Sequence, residues 1–214
     1  MMRTIPSRSS SRIAAALALL ALAACAGGTE PEPGGEYLGE LDSPFSIEGA
    51  AVIELHSPDL RSVTSPGRIL AARGMTEETL RILVINPPQN QTGGPISFRV
   101  RMAEGAVPPT ATVIAVSGAR NERRDFVGGY AVRFTRLPQG AAGAPPVPRT
   151  GAVGPITFDR LTAPFFPGGL PLHPEEARVA DATGNSNQIY DLGDARGYLR
   201  QYPGTVPPEF SWSR

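Results

Sequence analysis

The chain contains no lysine: all 20 of its basic residues are arginines. That absence excludes a phosphate-loop lysine, a Schiff-base lysine and a Ser-Lys dyad, each of which depends on an ε-ammonium. Cysteine is nearly as scarce. Cys25 is the only one, so the chain has no internal disulfide and draws its stability from packing or from a bound ion. The two histidines, His56 and His173, lie far apart in sequence, one expected at the end of a strand and the other just before a helix. Those places suit edge or surface residues better than a metal pair. Trp212 is the single tryptophan, which leaves little for the exposed aromatic platform on which carbohydrate binding relies, so carbohydrate ranks below protein as a partner. No Gly-x-Ser-x-Gly elbow occurs, and Ser57, next to His56, would point away from it on a strand. Nothing positive in the sequence supports an enzyme.

What is present begins with an address. Arg3, Arg8 and Arg12 lead into an apolar run of twelve residues, IAAALALLALAA from Ile13 to Ala24, too short to span a bilayer but right for the core of an export signal. The run closes on Leu22-Ala23-Ala24-Cys25, which resembles the lipobox of bacterial lipoproteins. The resemblance implies cleavage before Cys25, a lipid on its thiol and acylation of its new amino group, so that the membrane is held through Cys25. Ala26, in place of Asp, implies sorting to the outer membrane in proteobacterial terms. Removing 24 of the 214 residues leaves 190, enough for one ordinary domain and a small appendage. Three arginines leave with the signal, and the remaining 17 face 20 carboxylates. This mildly acidic balance gives no attraction for nucleic acid, and none for anionic lipid beyond the anchor itself.

Residues 25–36, rich in Gly, Pro and Glu, read as a flexible tether. From Tyr37 to Leu137 short apolar runs alternate with Gly, Pro and Asn. Strands are expected at Tyr37–Leu41, Ala51–His56, Arg68–Ala72, Leu80–Asn86, Ile96–Met102, Thr112–Ser117 and Tyr130–Thr135. In ISFRVRM, Ile96, Phe98, Val100 and Met102 alternate with polar residues, the pattern of one face on a core and one in water. In LRILVIN, the unbroken apolar run Ile82–Ile85 predicts a strand covered on both faces. Short strands without a long helix between them argue for an all-β, antiparallel sandwich. The segments GAAVIELHSPDLRSV and ETLRILVINPPQNQTGGPISFRVRM resemble the strand–loop and strand–turn–strand parts of cohesin-like β-sandwiches from bacterial surface proteins. Another bacterial sandwich of the same strand spacing fits equally well. Residues 138–172 are dense in proline and glycine and read as a linker, within which ITFDRL and Phe165–Phe166 are apolar enough to dock on a neighbour.

The last third gathers side-chain oxygens. HPEEARVADA places Pro174 at a first helical position with Glu175 and Glu176 behind it. DLGDARGYLRQY spaces Leu192, Ala195, Tyr198 and Leu199 along one helical face. Between them stand Asn185, Asn187, Asp191 and Asp194. The layout is helix, polar loop, helix, and GNSNQIYDLGDARGYL resembles one calcium repeat of a dockerin, the EF-hand type of module that partners cohesins. The resemblance implies weak calcium ligation by Thr183, Asn185, Asn187, the Ile189 carbonyl, Asp191 through water, and Asp194. The sequence departs from that pattern at Thr183, where a carboxylate is usual, and at Gln188, where a sharp turn favours Gly. Without metal, the same residues read as an Asn-rich turn with Asp191 or Asp194 capping the last helix. The appendage is thus a dockerin-like hairpin over residues 173–202 with a tail at 203–214. Its stripe of Leu192, Ala195, Tyr198 and Leu199 is expected to bind a protein partner or to dock on its own sandwich.

Overall fold

A computed structural model describes residues 34–45, 47–87, 95–138, 140, 150–207 and 211–214. The export signal, Cys25 and the tether before Gly34 lie outside them. Among the described residues the strands are β1 (Glu36–Asp42), β2 (Glu48–His56), β3 (Leu60–Thr64), β4 (Ile69–Gly74), β5 (Thr79–Ile85), β6 (Ser97–Met102), β7 (Thr110–Gly118), β8 (Ala131–Arg136) and β9 (Trp212–Ser213). They form two antiparallel sheets, one ordered β8-β1-β6-β3-β9 and the other β4-β5-β2-β7. The seven expected strands are all present, within the usual uncertainty of strand ends.

The alternation seen in the sequence sets the layers. In β6, Phe98, Val100 and Met102 are buried while Arg101 faces water. They meet Ile53, Leu55, Ile82 and Val84 of the opposite sheet in one apolar cluster. Gly39 stands opposite Phe98 on one neighbouring strand and Phe134 on the other. A Cβ there would come within 2.7 Å of the Phe98 ring and 3.0 Å of the Phe134 ring. The missing side chain lets those rings meet edge to face at 6.1 Å.

β5 is covered on both faces, as its continuous apolar run predicts. Ile82 and Val84 point between the sheets, whereas Leu83 and Ile85 point to a second cluster on the outer face. That second cluster is made with helices: α1 (Phe158–Thr162), α2 (Pro174–Thr183) and α3 (Leu192–Gln201). The molecule is therefore sheet on sheet on helices, and each fully buried Leu, Ile or Phe contributes about 1.5–3 kcal/mol of transfer free energy.

Three sequence readings change. Residues 150–172 are not a linker: Ile156, Phe158, Leu161, Phe166 and Leu172 are buried in the outer cluster. Proline and glycine break long elements, but they leave room for the short α1, whose N-cap Thr157 accepts the Arg160 amide at 3.3 Å. Arg160 then ties α1 to the start of α2, donating to Glu176 at 3.0 Å and to the Pro171 carbonyl at 2.7 Å. Secondly, the tail 203–214 contributes β9, where Trp212 stands opposite Val63. Thirdly, residues Pro33–Arg214 form one compact unit, with no separate hairpin domain.

Candidate functional site

The polar run lies between α2 and α3, and four of its side chains meet in one hydrogen-bonded ring. Asp191 is the N-cap of α3 and accepts the Gly193 amide at 2.8 Å. Asp194, fully buried, reaches back with both oxygens, accepting the amides of Asp191 at 2.8 Å and Asn185 at 3.0 Å. The Asn185 amide group donates to Asp191 at 3.1 Å and the Asn187 amide group to the same carboxylate at 3.0 Å. Asn187 also accepts the Ile189 amide at 2.8 Å. Thr183 stands apart as the last residue of α2, donating its hydroxyl to Ala180 of its own helix at 2.7 Å. Ile189 joins the ring through its N–H, and its side chain is exposed. The four shared residues thus form a reciprocal cap that satisfies orphan N–H groups at the start of α3. As placed, Asp191 accepts from Gly193, Asn185 and Asn187, and each oxygen of Asp194 accepts one backbone amide.

Electrostatics follow from burial. The Asp194 carboxyl is pushed up to about 6, because desolvation outweighs the two amides that favour its charge. Burial, and then Asp194 and Asp191, also hold the Tyr190 phenol well above its usual range, and its hydroxyl donates to the Leu161 carbonyl. At the loop's sixth place Gln188 has φ +69°, the left-handed conformation that a glycine would adopt more readily.

The ring is seated on the sandwich through a residue that sequence reasoning passed over. Asn121, in the charged segment after β7, is buried with φ +68°. Its carbonyl accepts the Asn185 side chain at 2.9 Å and its own side chain accepts Arg196 at 2.7 Å. Arg196 is buried too, and it donates to the Ala119 carbonyl at 2.6 Å. A Cβ on Gly193 would lie 1.9 Å from the Asn121 carbonyl oxygen, so this close approach requires glycine. The one sequence signal for Asn121 is its residue type, since asparagine tolerates the left-handed region in turns. Nearby, buried Glu48 accepts Tyr130 at 2.6 Å, Ser43 at 2.9 Å and Arg124 at 3.2 Å. Burial, together with that hydrogen bond, pushes the Tyr130 phenol up to about 12.

Beside this seat, along β7, opens a pocket of about 260 Å³ lined by Ile114, Ser117, Arg124, Asp125, Phe165 and Tyr190, among others. The buried Ser117 hydroxyl has no hydrogen-bond partner among the described residues. β7 is an outer strand of its sheet, and Thr110, Thr112 and Ile114 are exposed along it. At Val116–Gly118 the outer edge of β7 is taken by the chain itself, the Arg124 amide donating to the Val116 carbonyl at 3.1 Å and the Gly118 amide to the Glu122 carbonyl at 2.8 Å. This leaves Thr110–Ile114 as the stretch that can take an extended chain by backbone pairing next to the pocket.

The apolar stripe of α3 faces the other way. Leu192, Ala195, Tyr198 and Leu199 are buried with Val52, Leu83, Ile85 and Ile156. The Tyr198 hydroxyl accepts the Ile156 amide at 2.7 Å. His56 lies apart from the site, its ring nitrogens 3.2 Å from Thr79 and 3.4 Å from Thr112. In comparisons with known proteins, no family model, no curated protein and no solved structure matches the chain.

Proposed function

We propose that this chain is a lipid-anchored protein of the bacterial envelope, held through Cys25, whose folded domain is a non-catalytic protein-binding module. The cohesin-like reading belongs to this proposal: GAAVIELHSPDLRSV runs through β2 into β3, and two antiparallel sheets stack around one apolar cluster. The dockerin-like hairpin is used internally, as the third layer, since its apolar stripe is buried on its own sheet. The hydrogen bonds of the cap ring support a hairpin that keeps its shape without a bound ion.

One observation carries the reading. The outer edge of β7 is paired with Glu122–Arg124 at Val116–Gly118 but with no other strand among the described residues along Thr110–Ile114. That open stretch, ending at the pocket lined by Ile114, Phe165 and Tyr190, suits an extended peptide segment of a partner protein. A photocrosslinking residue at Ile114, in the anchored protein in its own envelope, is expected to capture a protein partner, while one at Thr64 on the other sheet captures none. Capture at both positions alike, or recovery of glycan instead of protein at Ile114, would favour a carbohydrate- or envelope-binding sandwich.

A further inference from the structure

One end of the five-stranded sheet collects arginines. Glu36 opens β1 opposite Arg101 near the end of β6, and Arg101 in turn stands opposite Ser62 of β3, which faces Ser213 of β9. A register shift between Leu60 and Ser62 leaves Arg61 as an extra residue on β3, turned to solvent. Bulges of this kind re-aim a side chain. Arg61, Arg101 and Arg214 line a groove of about 480 Å³, and Glu104 is the one acidic side chain among its described lining residues. Arg214 is positioned by donating to the Pro58 carbonyl at 2.8 Å, and its guanidinium sits 5.9 Å from the Trp212 ring. Arg61 and Arg101 have no ion-pair partner among the described residues, and the neighbouring Glu36 pairs with Arg99 at 3.7 Å.

Gly34 also lines this groove, and it stands nine residues after Cys25. A chain of that length spans at most about 30 Å even when fully extended, so a lipid on Cys25 keeps the groove within that distance of the bilayer. Guanidinium groups recognise phosphate oxygens through paired N–H donors, and they attract an anionic surface within a Debye length of about 8–10 Å. We propose that the groove of Arg61, Arg101 and Arg214 binds the phosphate of anionic membrane lipids and holds this end of the sandwich against the bilayer. The inference rests on the proposed anchoring at Cys25, and it assigns the groove a role apart from the β7 edge. The docked pose leaves that edge, on the other sheet, to a protein partner.

Trp212, the single tryptophan, reports the contact. Mature lipidated protein is reconstituted into vesicles of phosphatidylcholine alone, or of phosphatidylcholine mixed with phosphatidylglycerol. Trp212 emission is then read with lipids brominated near the headgroup as quenchers. Phosphatidylglycerol is expected to shift the emission to the blue and raise the quenching, and added salt to reverse both. In R61Q/R101Q the ratio of docked to free domain is expected to fall about 30-fold, at about 5-fold per arginine. An unchanged melting temperature shows that the exposed substitutions leave the fold intact. Equal Trp212 signals on the two vesicle types, or a double variant that still responds to phosphatidylglycerol, would overturn the proposal. So would a Trp212 response to inorganic phosphate alone without one to phosphatidylglycerol, which marks a site for free phosphate. Protein that does not stay on phosphatidylcholine vesicles sinks the anchor at Cys25, and this inference with it.

Discussion

Asp194 holds two backbone amides, those of Asn185 and Asp191, from a position closed to solvent. Asp194→Ala leaves those amides buried and unpaired, with an expected loss of about 3 kcal/mol in urea unfolding. The pH dependence has a definite sign. Because the folded value, about 6, lies above the ordinary value of 3.8, the native state binds more protons between the two. The contribution of Asp194 is therefore fully present below the ordinary value and is lost as pH rises through about 6. The stability difference between wild type and Asp194→Asn, which cannot titrate, is expected to favour wild type more at about pH 4 than at about pH 7. Gln188 offers a second test at this scale. Its left-handed backbone makes Gln188→Gly stabilising by about 1 kcal/mol, equally in chelator and in millimolar calcium. A gain that appears only with calcium would mean that the ion, and not the hydrogen bonds, organises the loop. The sequence exposed the residues of the ring, since Asn and Asp cluster visibly between two helical patterns. It hid their seat, because Asn121 and Arg196 look like ordinary surface residues until the fold brings them within 2.7 Å of each other.

The strands were the most legible elements, and the reason is their period. β6 alternates and β5 does not, and those two patterns locate the water face, the inter-sheet core and the helix-covered face. β3 escaped because LRSVT is short and carries an exposed arginine at a bulge, and β9 because two residues make no pattern. α1 escaped because the prolines around it outweigh five helical residues. In α3 the stripe of Leu192, Ala195, Tyr198 and Leu199 was readable, but every residue from Leu192 to Leu199 is buried, and the second buried face was not. That face depends on glycine. A Cβ on Gly197 would meet the Thr183 carbonyl oxygen at 2.4 Å and the Gly184 Cα at 2.6 Å, so α2 and α3 touch backbone to backbone there. Alanine is the better helix former by roughly 1 kcal/mol, yet overpacking of this kind costs about 1–3 kcal/mol. Gly197→Ala is accordingly expected to lower the melting temperature, and a rise would show that the two helices are less closely packed than this.

At the scale of the molecule, the two sheets followed from the pattern and the third layer did not, because proline and glycine content read as a boundary between domains. Residues 150–172 cross that supposed boundary and fill the space between sheet and helices with Ile156, Phe158, Leu161 and Phe166. Composition likewise averaged away the arginine groove, since a chain with equal formal charges can still sort them by strand end. What unites the layers is the buried seam of Asn121, Arg196, Asp194 and the α3 stripe, which makes the helical hairpin part of the fold and not a module tethered to it. Equilibrium unfolding in urea, followed at once by Trp212 emission from the five-stranded sheet and by helical circular dichroism, tests this most directly. The account predicts one cooperative transition with coincident midpoints, shifted together by Leu199→Asp. Loss of helix in a separate, earlier transition while Trp212 keeps its native emission would contradict it.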